Sequence, residues 1–143
     1  MAAEYRLEIF TPYRLFFRAD VEAIVVKLAD GEVGIYAGHS RFTAPVRTCA
    51  LRIKPIPTKE FSGEWKPAFV TNGIIEVKRH KVVLLCDAAE WPEEIDMERA
   101  LASKKSAEST LANSAFKFEH IAAKEKLIRA QTRLSIVDYK EQI

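Results

Sequence analysis

Asp96, Arg99, Arg129 and Arg133 are the residues of this chain whose types and spacing could do chemistry together. Arg129 and Arg133 stand four positions apart, so a helix would carry both guanidiniums on one face. A fold-back near Asn113-Ser114 would set Arg99 opposite Arg129 or Ala130, and Asp96 opposite Arg133. Three guanidiniums would then converge beside one carboxylate. Arginine presents a planar fork of donors, so such a cluster suits a polyphosphate. A plainer reading stands beside it. Asp96 is a good helix N-cap, Asp96–Arg133 could be a simple interhelical ion pair, and Arg129 and Arg133 could be solvated surface.

No catalytic constellation accompanies these residues. His39, His80 and His120 are far apart and lack paired-ligand spacing. Gly31, Gly34 and Gly38 make no phosphate-binding loop, because no Gly-rich turn precedes a helix. Neither cysteine, Cys49 or Cys86, stands in a nucleophile or CxxC motif; both sit in strand-like apolar runs and read as reduced core residues. The expectation is a noncatalytic protein with no metal and no required cofactor.

The elements that position the arginines follow from the punctuation of the chain. All 5 Gly and all 6 Pro lie at or before Pro92, and the 51 residues from Glu93 onward contain neither. Before that point the apolar runs are short and alternate: Tyr5, Leu7 and Ile9; Ile24, Val26 and Leu28; Ile74 to Val77; Val82 to Leu85. Period two with frequent turns predicts an antiparallel β-sandwich or barrel. Asn72-Gly73 between two such runs predicts a hairpin, since both residues tolerate positive φ. Lys54 to Lys66 holds two prolines and reads as a long loop or edge hairpin.

After Pro92 the period changes. Ala123, Leu127, Ala130, Leu134 and Val137 form a heptad-like seam, and Met97, Ala100, Leu101, Ala107, Leu111 and Ala115 form a second stripe. Asn113 and Ser114 favour helix ends. The expectation is helices over about 95–112 and 117–140, packed as a thin-seamed hairpin that is marginal in isolation. The fold class is therefore α+β, with a sandwich domain over 1–91 and a helical hairpin over 92–143.

Composition narrows the class. The chain has 143 residues, 48% hydrophobic and 29% charged, with a net charge of +2. That charge is too small to point to nucleic acid, no apolar run approaches a membrane span, and the N-terminus carries no signal-peptide core.

Three stretches, in order, resemble the epsilon subunit of F-type ATP synthases. Gly31-Glu32-Val33-Gly34-Ile35-Tyr36-Ala37-Gly38-His39 is similar to that family's G-E-x-G-I-x-x-G-H segment. Ile95-Asp96-Met97-Glu98-Arg99-Ala100 resembles its I-D-x-x-R-A motif, and Arg129-Ala130-Gln131-Thr132-Arg133-Leu134 its R-A-x-x-R-L motif. Ser106 stands where some nucleotide-binding members have a further basic residue.

The resemblance implies a noncatalytic subunit of the central rotor of a proton- or sodium-translocating ATP synthase. Its sandwich would bind the gamma subunit and the c-ring, with Glu32 and His39 at the end facing the c-ring. Its helical tail would lie folded against the sandwich or extend toward the alpha and beta subunits and inhibit ATP hydrolysis. A regulatory ATP would bind at Glu90, Ile95, Asp96, Arg99, Ala100, Arg129 and Arg133. Lys124, Lys126, Arg129 and Arg133 would meet an acidic segment of beta in the extended state. The implied location is peripheral, at the cytoplasmic face of a bacterial cell membrane. An alternative without the family is a ligand- or peptide-binding β-sandwich with a helical dimerisation tail.

Overall fold

A computed structural model describes residues 3–141, with side chains over 3–137. The chain divides into two compact units, 1–90 and 91–143. The first contains β1 (Tyr5–Phe10), β2 (Leu15–Leu28), β3 (Gly31–Tyr36), β4 (Phe42–Val46), β5 (Cys49–Pro55), β6 (Lys66–Val70), β7 (Gly73–Val77), β8 (Lys81–Cys86) and β9 (Ala89–Glu90). The second contains a 3-10 turn, Pro92–Glu94, then α1 (Met97–Asn113) and α2 (Lys117–Glu141).

The sheet runs in the order β4-β7-β8-β1-β2-β5-β6-β9, with β3 also on β2. The 14-residue β2 joins the two layers of the sandwich. Its first half pairs with β1 over Leu15–Val21, and its second half pairs with β3 and β5 over Val21–Leu28. A register shift between Val21 and Ala23 marks the passage from one layer to the other. Alternate residues from both layers fill the interior. Leu7, Ile9, Val21, Ile24, Ile35, Leu51, Ile53, Phe69, Ile75 and Leu84 are fully buried. The Tyr5 hydroxyl donates to the Ile35 carbonyl at 2.7 Å, tying β1 to β3, and burial pushes its pKa up.

Among the described residues the sandwich is antiparallel but for one pairing, and one expectation is corrected. The parallel pairing sets β1 alongside β8 with Leu7 opposite Val82. Asn72-Gly73 forms no hairpin. β6 pairs with β5 and β9, whereas β7 pairs with β4 and β8, so the chain crosses between layers at this point. Positive φ occurs at Gly31, Gly38 and Gly63 and at no non-glycine residue described. Asn72 works through its side chain: its Oδ1 accepts the Thr48 backbone N–H at 2.9 Å. Its own N–H donates to the Thr48 hydroxyl at 3.1 Å. The crossover is thus stitched to the β4–β5 turn.

Within the Lys54–Lys66 segment, residues 56–65 form a long hairpin loop joining the paired strands β5 and β6. The segment carries its own contacts: Phe61 packs against Phe17 at 5.5 Å between ring centroids, and Lys54 lies over Trp65 at 5.9 Å.

In the second unit α1 and α2 fold back antiparallel across a three-residue turn, 114–116. Ala100 and Ala107 are the buried residues of α1; Ala123, Ala130 and Ile136 are the buried ones of α2 among the described side chains. A turn centred on Ala115 sets Ala100 level with Ala130 and Ala107 with Ala123. Small residues at both levels let the backbones approach closely. The register is one to two residues displaced from the one spacing suggested. Met97 and Leu101, expected in the seam, are exposed, so the apolar stripe is even thinner than the pattern implied.

Candidate functional site

The helical unit presents the charged group in a definite way. Asp96 caps α1: its Oδ1 accepts the Arg99 backbone N–H at 3.1 Å. This satisfies one of the orphan donors of the first turn. Arg99 is exposed on that turn, and Ala100 is buried beside it in the seam. Ile95 ends the preceding 3-10 turn, donating its N–H to the Pro92 carbonyl at 3.3 Å. Arg129 and Arg133 lie one helical turn apart on α2, both half-buried. The Nε of Arg129 is buried and has no hydrogen-bond partner among the described residues. A buried, unsatisfied guanidinium donor is costly and marks a place where an acceptor would be stabilising.

Lys126 is held within the hairpin, its Nζ donating to the Ser106 hydroxyl on α1 at 3.2 Å. A basic residue at position 106 would oppose this contact. Lys124 is exposed. Glu90 belongs to the other unit, at the end of β9.

In the sandwich, Glu32 and His39 do not share one end. Glu32 stands at the start of β3 opposite Lys27, and its Oε2 accepts from Arg52 at 3.1 Å. His39 follows the far end of β3, its ring against Phe42 at 5.2 Å and its Nδ1 3.1 Å from the Ser40 carbonyl. The strand between them spans roughly 13 Å at ~3.3 Å per residue. Sequence proximity concealed this, because an extended strand separates its two ends.

The sandwich also carries a feature the sequence reading missed. Phe10, Thr11, Pro12, Ile74, Leu85 and Cys86 line an open groove of about 440 Å³. Its walls include the cross-strand pair Ile74 and Leu85, each 53% exposed. Both were legible as strand residues, but their outward direction depends on register. The outer face also carries ion pairs: Arg6 with Asp20 at 3.1 Å, Lys54 with Glu22 at 3.4 Å, and Glu8 with both Arg18 and Lys81 at 2.5 Å. The hydrogen bonds from Lys81 and then Arg18 hold the Glu8 carboxyl below the ordinary range.

Comparison with known proteins decides the family. Residues 4–92 match the family described as ATP synthase, Delta/Epsilon chain, beta-sandwich domain, and residues 93–138 match its long alpha-helix domain. The chain belongs to the ATP synthase delta/epsilon family. An ATP synthase epsilon chain of Caldicellulosiruptor saccharolyticus is 44% identical over 136 residues, covering 95% of each chain. One of Caldanaerobacter subterraneus is 43% identical over 143 residues, covering 99% of each. Among solved structures, a chain of the Euglena gracilis mitochondrial ATP synthase superposes with a TM-score of 0.78 at 19% identity, covering 93% of this chain and 81% of that one. A chain of the Tetrahymena thermophila mitochondrial ATP synthase central stalk and c-ring gives 0.64 at 15% identity, over 96% and 97%. At these identities the two structures speak for the fold. The epsilon-family sandwich and helices are thus the frame in which the groove and the arginines stand. Among the described residues no helix is long and apolar enough to cross a membrane, and no cluster of metal-binding side chains occurs.

Proposed function

We propose that this chain is a noncatalytic rotor subunit of an F-type ATP synthase, peripheral at the cytoplasmic face of a bacterial membrane. It couples the c-ring to the gamma subunit, and its helical unit is a mobile arm that restrains ATP hydrolysis by reaching toward alpha and beta. Family membership supports the coupling role, and the groove carrying Ile74 and Leu85 supplies the surface. Gamma docks there. Buried apolar area contributes about 25 cal/mol per Å², so two half-exposed aliphatic side chains are natural anchors.

The arm binds a regulatory nucleotide through Arg129 and Arg133, with Arg99 and Ile95 flanking. The unsatisfied Nε of Arg129 supports this reading. Hydrogen bonds to charged groups contribute about 1.5–3 kcal/mol each. Two or three, less ordering costs, give micromolar to millimolar affinity. ATP at 100 times its Kd stabilises the closed hairpin by about 2.7 kcal/mol. The thin alanine seam leaves the hairpin near enough to balance for that to matter. When the arm opens, Lys126 leaves Ser106 and joins Lys124, Arg129 and Arg133 in facing an acidic partner.

The test is binding to gamma by calorimetry or co-elution. The intact chain forms a stable 1:1 complex, and Leu85→Glu weakens it at least tenfold while the far-UV spectrum is unchanged. A chain that ignores gamma and forms a tail-mediated homodimer would overturn the rotor reading. For the arm, truncation after Trp91 raises ATP hydrolysis by the reassembled complex; unchanged activity across ATP concentrations and membrane potentials removes the inhibitory role.

A further inference from the structure

The turn between α1 and α2 contains no residue that forces a helix to stop. Ser114, Ala115 and Phe116 make up the turn, and neither Gly nor Pro occurs anywhere after Pro92. No residue of the turn adopts positive φ. Helix–helix turns are commonly closed by a left-handed glycine or stopped by a proline. Here three side chains close it. The Ser114 backbone, extended at φ −83 and ψ 137, ends α1. Its carbonyl accepts from the His120 Nε2 at 2.6 Å, which makes Nε2 the protonated ring nitrogen. Its hydroxyl accepts the Phe116 N–H at 3.2 Å and donates to the Glu119 carboxylate. His120 and Glu119 both lie on the first turn of α2, so each reaches back across the break to the same residue.

We propose that Ser114, Glu119 and His120 form a latch that keeps the helical unit in its hairpin state, and that breaking it lets α1 and α2 join into one continuous helix. The proposal rests on the reading of the helical unit as a mobile arm. Its physical basis lies in the turn residues themselves. Ser, Ala and Phe cost at most about 0.7 kcal/mol each in a helix interior. A continuous helix would also satisfy, through its own ladder, the backbone groups that the latch now satisfies. The hairpin is therefore favoured by the latch and by an alanine seam of small area. The side chains of Phe116 and Phe118 are exposed beside the latch, to which Phe116 contributes its backbone N–H alone.

The experiment measures interhelix distance in the full chain, with spin labels at Ala102→Cys and Gln131→Cys. Both sites are exposed, whereas Cys49 and Cys86 are buried and stay unlabelled. The parent chain gives a short distance typical of packed antiparallel helices. A continuous helix would give roughly 40 Å at ~1.5 Å per residue. Adding Ser114→Ala with His120→Phe raises the long-to-short ratio at least tenfold at constant helical content by circular dichroism. Glu119→Gln, which still accepts from Ser114, raises it less. An unchanged short distance in the double variant overturns the latch. So does a parent chain that is already long. Loss of helical content on opening would show separation or melting instead of joining, and would overturn the continuous-helix outcome. The result is independent of inhibition: a latch-open variant that leaves hydrolysis unaltered would remove the regulatory reading and leave the latch standing.

Discussion

The carbonyl oxygen of Leu85 lies 2.0 Å from where a Cβ on Gly73 would stand, and its carbonyl carbon 2.9 Å away. Gly73 is the first residue of β7 and pairs with Cys86 on one side and Val46 on the other. Glycine is therefore required here for close backbone approach, not for a left-handed turn. Gly73→Ala forces two backbones apart and is expected to cost at least about 2 kcal/mol, within the usual range for overpacking. The midpoint of thermal unfolding of the sandwich should fall by roughly 10 °C. Trp65 fluorescence in a Trp91→Phe background, followed during thermal unfolding, checks this; an unchanged midpoint contradicts the close approach.

Glu8 sits on central strand β1, only 5% exposed, and is held by Lys81 from β8 and Arg18 from β2. Its pKa is lowered, by the Lys81 hydrogen bond first and the Arg18 hydrogen bond next. A depressed folded-state pKa gives stability that is present above the unfolded value, about 4.3, and is lost as pH falls through the folded value. Glu8→Gln should be less stable than the parent at pH 7, and the difference should shrink steadily below about pH 4. Urea unfolding at several pH values measures this. A pH-independent difference would mean that shape, not charge, is what Glu8 supplies.

Asp96 has two separable roles to distinguish. As an N-cap it contributes about 0.5–2 kcal/mol, which Asp96→Ala removes and Asp96→Asn largely keeps. As part of a nucleotide site its carboxylate would matter in itself. Hairpin stability should therefore fall in Asp96→Ala alone, and ATP affinity should fall in both variants if the carboxylate touches the ligand. Arg129→Ala and Arg133→Ala should each weaken ATP binding by about tenfold or more while leaving helical content intact. Absence of saturable binding by the parent chain at several millimolar ATP removes the sensor.

Cys49 and Cys86 are buried and unpaired. Burial raises both thiol pKa values, that of Cys86 to about 11. Since the thiolate is the reactive form, neither should react with a thiol reagent at pH 8 in the folded chain, and both should react on addition of denaturant. Fast labelling of the native protein would contradict the placement of these strands.

Much of the fold was legible because its signals are local. The loss of Gly and Pro after Pro92 marks where strands give way to helices, and the heptad-like alanines point to a hairpin whose helices begin and end within two residues of the expected positions. The capping role of Asp96 was equally readable from its place before an apolar stripe. The failures were all non-local. Asn72-Gly73 has the composition of a hairpin, yet the strands on either side belong to different pairings. Glu32 and His39 are near in sequence and at opposite ends of β3.

The two-part architecture and the family motifs were readable along the chain, because periodicity, punctuation and residue type act over a few neighbouring positions. Packing alone settled that Gly73 must make room for Leu85, that Ile74 and Leu85 face outward as a groove, and that the Arg129 Nε is buried without a hydrogen-bond partner among the described residues. Each of these depends on which strand or helix lies alongside. A strand that slips by one residue turns every side chain to the other face, and a helix that shifts by one rotates it by about 100°. That choice is made by the packing of the whole unit and is written in no single segment.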